Sequence, residues 1–428
     1  MSDMSTSSLE SDYSSSNYST DSNNSQENNI DLNGDIINNY NIITELGRGA
    51  YSIVWLGFCI SDSKYYAIKV QNPDDYSEGK DEVKMLKKIP SRVKYINRLV
   101  DYFVEERFVN DETRKFICSV YELCCGNLDV LSRKGKYKNG YPLPIAKEIF
   151  RQICEGLNVL HNDLKVLHGD IKPDNILLCG INKRDEKYIE WYNKADFLTV
   201  YSQIKKQYWI QKGNDIKNIK KMDPRDRLRI RKELHKSIIF KMDENKENPY
   251  HFDEKYIKDL TVKITDFGTF CPDTEVFEEE FGTRYYQAPE IILMGDCTKK
   301  VDIWALGCTL YELVTGELLF DPHSDRYHDT DFYHLEMMIK LCGRFSKDFI
   351  KDTQYGRTFF DKKCRLKEMQ SLDCSYTKEE ISSIISNKLL EHNIDDKALT
   401  ALIVSMLQLL PYKRVKIQDI LGCGWLTV

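Results

Sequence analysis

No lysine or arginine occurs before Arg48, and that opening stretch holds eight aspartates and glutamates. The formal net charge of -6 is therefore concentrated there, and the rest of the chain is close to neutral. Bulk charge gives no reason to expect direct nucleic-acid binding. Also missing, despite 13 cysteines, are any Cys-x-x-Cys pair and any Cys/His ladder of zinc spacing. The cysteine count is odd and the spacing irregular, and the Ser-rich N-terminus does not read as a signal peptide. The thiols are read as reduced, in an intracellular protein of the cytoplasm or nucleus. No apolar run is long enough to cross a bilayer, so no membrane partner is expected. The longest, Ala398–Leu410, is interrupted by Ser405 and Gln408 and reads as a core helix stopped by Pro411. There is no internal repeat.

What is present is a globular composition, 41% hydrophobic and 30% charged over 428 residues, enough for one large bilobal domain or two to three ordinary ones. Residues 1–38 are Ser, Asn and Asp with few large apolar groups, and read as a disordered acidic tail. Order is expected from Tyr40. Strands follow at Tyr51–Ile60 and Lys64–Val70, then a helix over Ser77–Ile89, then strands at Arg98–Phe108 and Lys115–Leu123. From Pro142 the pattern turns helical, with Ile145, Ile149, Ile153, Leu157 and Leu160 on one face. A second helix runs over Lys300–Thr315 to the stop at Gly316. Between them, residues 180–259 read as a spacer with two amphipathic helices, Phe197–Lys212 and Arg225–Phe240, the second opened by Asp223-Pro224.

Five sites carry chemistry. Leu46-Gly47-Arg48-Gly49-Ala50-Tyr51-Ser52-Ile53-Val54 joins two strands, and its glycines let backbone approach a polyphosphate. By itself this fits an ordinary hairpin turn better, and it lacks the Gly-Lys-Ser/Thr ending of a Walker loop. In Ala67-Ile68-Lys69 a lysine lies inside an apolar strand. Paired with a carboxylate of the next helix it would hold nucleotide phosphates. Glu82 and Asp81 compete for that role, and Leu86, one turn on from Glu82, favours Glu82. His168-Gly169-Asp170-Ile171-Lys172-Pro173-Asp174-Asn175 precedes the strand Ile176-Leu177-Leu178. Asp170 would orient a hydroxyl and take its proton, Lys172 would neutralise a moving phosphoryl group, and Asn175 would bind a magnesium ion. Asp266-Phe267-Gly268 follows an apolar strand and offers Asp266 as a hard oxygen ligand for magnesium. Ala288-Pro289-Glu290 closes the segment.

These five motifs in this order resemble the eukaryotic protein kinase superfamily over Tyr40–Trp425. The resemblance implies an α+β, bilobal protein kinase fold: a small β-rich N-lobe (40–123) with one helix and a larger, mainly α-helical C-lobe (126–425), interrupted by the spacer. It implies ATP and Mg2+ as co-substrate and cofactor, and a protein substrate. Tyr121 falls at the gatekeeper, with the backbones of Glu122 and Cys124 at the adenine-binding hinge. Leu177 would lie under the adenine, opposite Val54 and Ala67. Leu86, His168 and Phe267 would stack as a regulatory spine. Asp302 matches the buried aspartate that holds the catalytic loop, and Arg414 the arginine paired with Glu290. Lys172 after Asp170 is the serine/threonine pattern.

Within the superfamily the chain is most similar to SR-protein kinases and their CMGC relatives. Ser52 replaces the third glycine, a long spacer precedes Asp266, and Phe320-Asp321-Pro322-His323-Ser324 with Phe359-Phe360 resembles their insert region. Gln287 departs from the arginine usual in the CMGC group. Gly169 stands where most kinases carry the arginine that binds an activation-loop phosphate, for instance on Thr274, so activity without that phosphate is expected. The acidic stretch Asp273, Glu275, Glu278, Glu279 and Glu280 is either a magnet for basic, Arg-Ser-type substrates or a solvated loop. Arg225, Arg227, Arg229, Arg231 and Lys232, interrupted by Asp226 and Glu233, read as a solvated helix face rather than a polyanion patch. A scaffold that binds partners without transferring phosphate is the alternative, and Lys69, Asp170, Asn175 and Asp266 together argue against it. A small-molecule kinase is the third, opposed by Ala288-Pro289-Glu290 and Asp302. The chain is expected to act as a monomer.

Overall fold

The computed structural model describes residues 31–49, 51–109, 112–133, 136–213, 223–239, 254–272, 281–367 and 375–427. Residues 1–30 of the expected tail, Ala50, parts of the spacer and the acidic stretch 273–280 lie outside the described residues.

The fold begins before Tyr40. Strand β1 (Ile36–Ile37) pairs antiparallel with β2 (Tyr40–Arg48), and Leu32 and Ile37 are each 1% exposed. The expected tail to residue 38 is therefore too long. Average composition hides three apolar residues that Gly34, at φ +73, lets turn back onto the sheet. Asp35 is anchored there by Arg107 at 2.9 Å.

Strands β1 and β2, with β3 (Ser52–Cys59), β4 (Tyr65–Gln71), β5 (Leu99–Val109) and β6 (Glu112–Tyr121), form a six-stranded sheet in the order β1-β2-β3-β4-β6-β5. Alternation divides the side chains between its faces. Ile42, Ile53, Trp55 and Ile68 fill one core, and Ile43, Leu46 and Leu56 lie in another cluster. Helix α1 (Tyr76–Leu86) buries Glu82, Val83, Met85 and Leu86.

A hinge strand, β7 (Cys124–Asn127), leads into the helical lobe through α2 (Leu128–Arg133) and α3 (Leu143–Asn158). Ile149, Ile153 and Leu157 are buried at helical spacing, as the pattern predicts, while Ile145 is only half-buried. A π-helical turn at Val159–Leu164 extends α3 and carries the buried His161. Short strands β8 (Val166–Leu167) and β9 (Ile176–Cys179) flank the loop that follows.

The spacer holds α4 (Lys183–Lys194), α5 (Phe197–Gln211), α6 (Pro224–Ile239) and α7 (Glu254–Lys258). It leaves β9 and returns through β10 (Val262–Ile264), which pairs directly with β9. An insertion with adjacent ends disturbs neither strand. Helices α5 and α6 match the two expected amphipathic stretches, and the four arginines of α6 are exposed. Helix α4 was not expected, because its apolar residues are few. Asn182 caps it by accepting from the Asp185 amide at 2.9 Å, and its Tyr192 packs with Ile43 and Leu56 of the N-lobe sheet.

Past β11 (Cys271–Pro272) and α8 (Pro289–Ile292), α9 (Lys300–Thr315) is buried on all sides. Gly316 ends it at φ +78, where any Cβ would lie 2.3 Å from the Lys138 carbonyl. Helix α10 (Thr330–Cys342) and α11 to α16 (Lys347–Lys351, Gly356–Phe359, Lys378–Glu391, Lys397–Met406, Ile417–Leu421 and Gly424–Thr427) complete the lobe. Helix α14 stops at Met406, five residues before Pro411. A residue preceding proline avoids the helical region, and the Gln408 and Leu409 carbonyls accept from Arg414 instead. Among the described residues no helix is long and apolar enough to cross a membrane.

His334 of α10 is fully buried, and neither ring nitrogen has a hydrogen-bond partner. Burial, helped by the charge of Arg284, pushes its pKa down from 6.5 to about 3. The neutral ring contributes its full stability above pH 6.5 and loses it as pH falls towards 3. Between pH 6.5 and about pH 5, wild type should lose about 2 kcal/mol more unfolding free energy than His334→Leu. Urea denaturation at the two pH values measures the difference.

Candidate active site

Strand β4 turns Lys69 inward against α1. Its Nζ donates to Glu82 Oε1 at 3.0 Å and Oε2 at 3.1 Å, and to Asp266 Oδ1 at 3.2 Å. Asp81 points away and pairs with Lys84, so the helix face decides for Glu82. Burial alone would lower the Lys69 pKa, but the Glu82 and Asp266 charges outweigh it and hold it above the usual lysine value. Glu82 receives a further bond, from Gln71 Nε2 at 3.0 Å. Gln71 leaves no room on the helix opposite it: a Cβ at Gly79 would sit 1.9 Å from Gln71 Oε1. The motif spacing gives no sign of either residue.

The loop between β8 and β9 is clasped from below by Asp302 of α9. The carboxylate accepts from the backbone amides of His168 and Gly169, both at 2.8 Å, and sits 2.7 Å from His161 Nε2. Burial pushes the Asp302 pKa up; the His161 bond and charge and the backbone amides outweigh this and hold it below the usual carboxylate range. His168 Nδ1 accepts from the Asp170 amide, which leaves Nε2 to donate to the Thr265 carbonyl at 3.0 Å. Asp170 Oδ2 accepts from Asn175 Nδ2 at 2.9 Å and pairs with Lys172 at 2.8 Å. Asp170 Oδ1 accepts from the Thr283 amide at 2.9 Å. Both amide hydrogens of Asn175 are spent on Asp170, leaving its Oδ1 as an acceptor.

Asp266 has φ +63, a left-handed backbone for a non-glycine residue, and its side chain is half exposed. Burial of the group opposes its charge, but Lys69 holds its pKa below the usual value. Phe267 is 1% exposed and meets the His168 ring edge-on at 5.3 Å. Leu86 lies in the same continuous core.

The far end of the segment docks on the loop between β8 and β9 through two glycines. Gly169 has φ +83, and a Cβ there would lie 3.0 Å from the Thr269 carbonyl and 3.3 Å from the Phe281 ring. At Gly282, φ +77, a Cβ would approach the Gly169 carbonyl to 2.6 Å. Gln287 Nε2 donates to the Phe281 carbonyl at 3.0 Å. Below this, Glu290 and Arg414 form a bidentate pair at 2.6 and 2.7 Å.

The protein kinase domain family matches residues 40–190 and 218–426 of this chain. The chain belongs to the protein kinase family. Serine/threonine-protein kinase SRPK of Physarum polycephalum is 31% identical over 89% of this chain and 84% of its own length. SRSF protein kinase 3 of Homo sapiens is 24% identical, covering 92% and 87%. A serine/threonine-protein kinase of Acanthamoeba polyphaga mimivirus is 25% identical, covering 91% and 87%. The chain is thus a serine/threonine kinase of the SR-protein-kinase-like branch of the CMGC group.

Kinases of this family generally use ATP and Mg2+, and the residues fit both. Gly47 has open space where a Cβ would be, and Gly49 meets only the Ser52 carbonyl, at 3.7 Å. Leu46, Val54, Ala67 and Leu177 are half-buried apolar groups. Asp266 and Asn175 offer hard oxygens, suited to a magnesium ion that takes its remaining ligands from phosphate and water. Not every side chain of the glycine-rich turn joins in. Ile53 packs into the core on the face opposite Val54, Arg48 pairs with Glu45, and Tyr51 is exposed. At the hinge, Tyr121 is buried, and the Glu122 side chain pairs with Lys263 at 2.6 Å rather than facing the cleft core.

Arg414 spends all five of its donors, on Glu290 and on the Gln408, Lys300 and Leu409 carbonyls. Glu290→Ala leaves that guanidinium buried without its charge partner and should cost about 3–5 kcal/mol in chemical denaturation.

Proposed function

We propose that this kinase transfers the γ-phosphate of ATP to serine or threonine in basic, Arg-Ser-rich protein segments, without requiring phosphorylation of its activation segment. The observation that carries the catalytic reading is one hydrogen-bonded unit, Asp170–Lys172–Asn175, on a loop fixed by Asp302, together with Lys69 bonded at once to Glu82 and Asp266.

Lys69, oriented by Glu82, holds the α- and β-phosphates. The glycine-rich turn covers the polyphosphate with backbone amides. Asp266 and Asn175 Oδ1 would hold a magnesium ion, which would supply charge neutralisation for the phosphates. Asp170 orients the substrate hydroxyl and takes its proton as the oxygen–phosphorus bond forms, a role worth about 100- to 10,000-fold in rate. Lys172 balances charge on the transferred group. The hinge backbones of Glu122 and Cys124 hold the adenine between Val54, Ala67 and Leu177.

Independence from phosphorylation is supported by the glycine docking. Where a phosphate would need an arginine at position 169, the Phe281 ring lies against Gly169, and Gln287 holds the Phe281 carbonyl. Direct packing replaces a charge-assisted bridge. The substrate class is supported by the acidic stretch 273–280 and by relatives named for acting on SRSF proteins.

Radiolabelled ATP transfer with magnesium tests the reading, comparing an Arg-Ser repeat peptide with myelin basic protein. Phosphatase-treated wild type should label the Arg-Ser peptide in preference and as fast as untreated enzyme. Asp170→Ala should lose at least about 100-fold. Activity that disappears on phosphatase treatment, or a preference for acidic peptides, would refute the corresponding part.

A further inference from the structure

At the hinge, two cysteines 55 residues apart in sequence face one another. Strands β7 and β9 pair antiparallel with Cys124 directly opposite Cys179. Opposed residues of an antiparallel pair have Cα atoms about 4.5–5.5 Å apart, inside the range of about 4.4–6.8 Å that a disulfide spans. Both cysteines are free and neither is fully buried.

A cation completes the arrangement. Lys263 lies opposite Leu177 in the β9–β10 pair, and Leu177 shares a strand face with Cys179, two residues on. The facing Cys124 thiol draws the Cys179 thiol below its ordinary pKa against the opposing effect of burial, and Lys263, itself paired with Glu122, adds to the lowering. The facing Cys179 and burial hold the Cys124 thiol above its own ordinary value. These directions favour Cys179 as the attacking sulfur. Cys125 is excluded from the pair. Its buried thiol lies 2.8 Å from the Tyr256 hydroxyl and is pushed up to about 11 by burial.

We propose that Cys124 and Cys179 form a peroxide-sensitive modification site that closes to an intramolecular disulfide across the hinge. The Cys179 thiolate attacks hydrogen peroxide, forming a sulfenic acid and releasing hydroxide. The Cys124 sulfur then attacks the Cys179 sulfur, and the S–O bond breaks as the S–S bond forms. The hydroxyl group leaves as water, taking up a proton, and the thiol proton of Cys124 is released. Two thiols lose two electrons and two protons, and one peroxide is reduced to two waters. The reaction stands apart from the kinase assignment. Its consequence rests on the ATP reading above: the bond ties the hinge backbone at Cys124 to the strand carrying Leu177, and oxidation raises the KM for ATP several-fold, reversibly with dithiothreitol.

Peptide mass spectrometry of the full chain after hydrogen peroxide treatment, without reductant, tests the chemistry independently of catalysis. A linked peptide containing Cys124 and Cys179, lighter than its two parts by two hydrogens and lost on reduction, is expected. Cys124→Ser should leave a sulfenic acid on Cys179 that dimedone captures, and Lys263→Met should slow oxidation several-fold in folded protein. Absence of the linked peptide from folded, peroxide-treated wild type, or linkage through Cys125 instead, would overturn the site. A linked peptide with unchanged KM for ATP would overturn its effect on nucleotide binding.

Discussion

The structure turns on one buried carboxylate. Asp302 lies inside α9, a helix buried around its whole circumference, and accepts from His161 and from the His168 and Gly169 amides. An unpaired ionised group at such depth would be prohibitively costly. Here the donors come from the loop that must be fixed, so satisfying the charge and positioning the loop are one event. The π-helical turn after α3 supplies the third donor, and His168 passes the constraint on through its ring, bonded to Thr265 and packed on Phe267. Asp170 and Asp266 thereby acquire fixed positions although they lie 96 residues apart.

The remaining contacts are cross-braces on that base. Lys69 joins the sheet lobe to Asp266 and, through Glu82, to α1. Glu290 and Arg414 fix the end of the activation segment in the helical lobe. Between them Gly169 and Gly282 bring two backbones too close for side chains. The two departures from the usual kinase pattern, Gly169 and Gln287, thus belong to one arrangement, since Gln287 holds the Phe281 that rests on Gly169. Activity without a loop phosphate is the function we propose for that geometry.

Much of this was legible in the sequence because it is local or periodic. Alternation placed the sheet strands and Gly316 marked the end of α9, while Asp302 and Arg414 were named by the resemblance to protein kinases. Glu82 and Asp81 stayed ambiguous because adjacent residues differ only in the helix face they occupy, which tertiary packing decides. Other features depend on contacts between distant segments. Gly79 matters only because Gln71 fills the space opposite it, and Cys124 meets Cys179 only through strand register. Helix α4 has few apolar residues, and its Tyr192 acquires a buried setting from the N-lobe sheet. At Leu407–Leu410 an apolar run that looked helical is drawn out of the helix by Pro411 and by Arg414. Leu32 and Ile37 escaped notice because polar neighbours dominate any average over the tail.

The most direct test of Asp302 as organiser is the kcat of Asp302→Asn, measured on folded protein with saturating ATP. The substitution keeps size and shape but exchanges one acceptor oxygen for a donor facing an amide, leaving a buried N–H unpaired. With the loop displaced by a fraction of an ångström to an ångström, kcat should fall by about 100-fold while α9 remains intact. A folded Asp302→Asn enzyme with wild-type kcat would contradict the account, because the catalytic loop would then hold its geometry without the carboxylate.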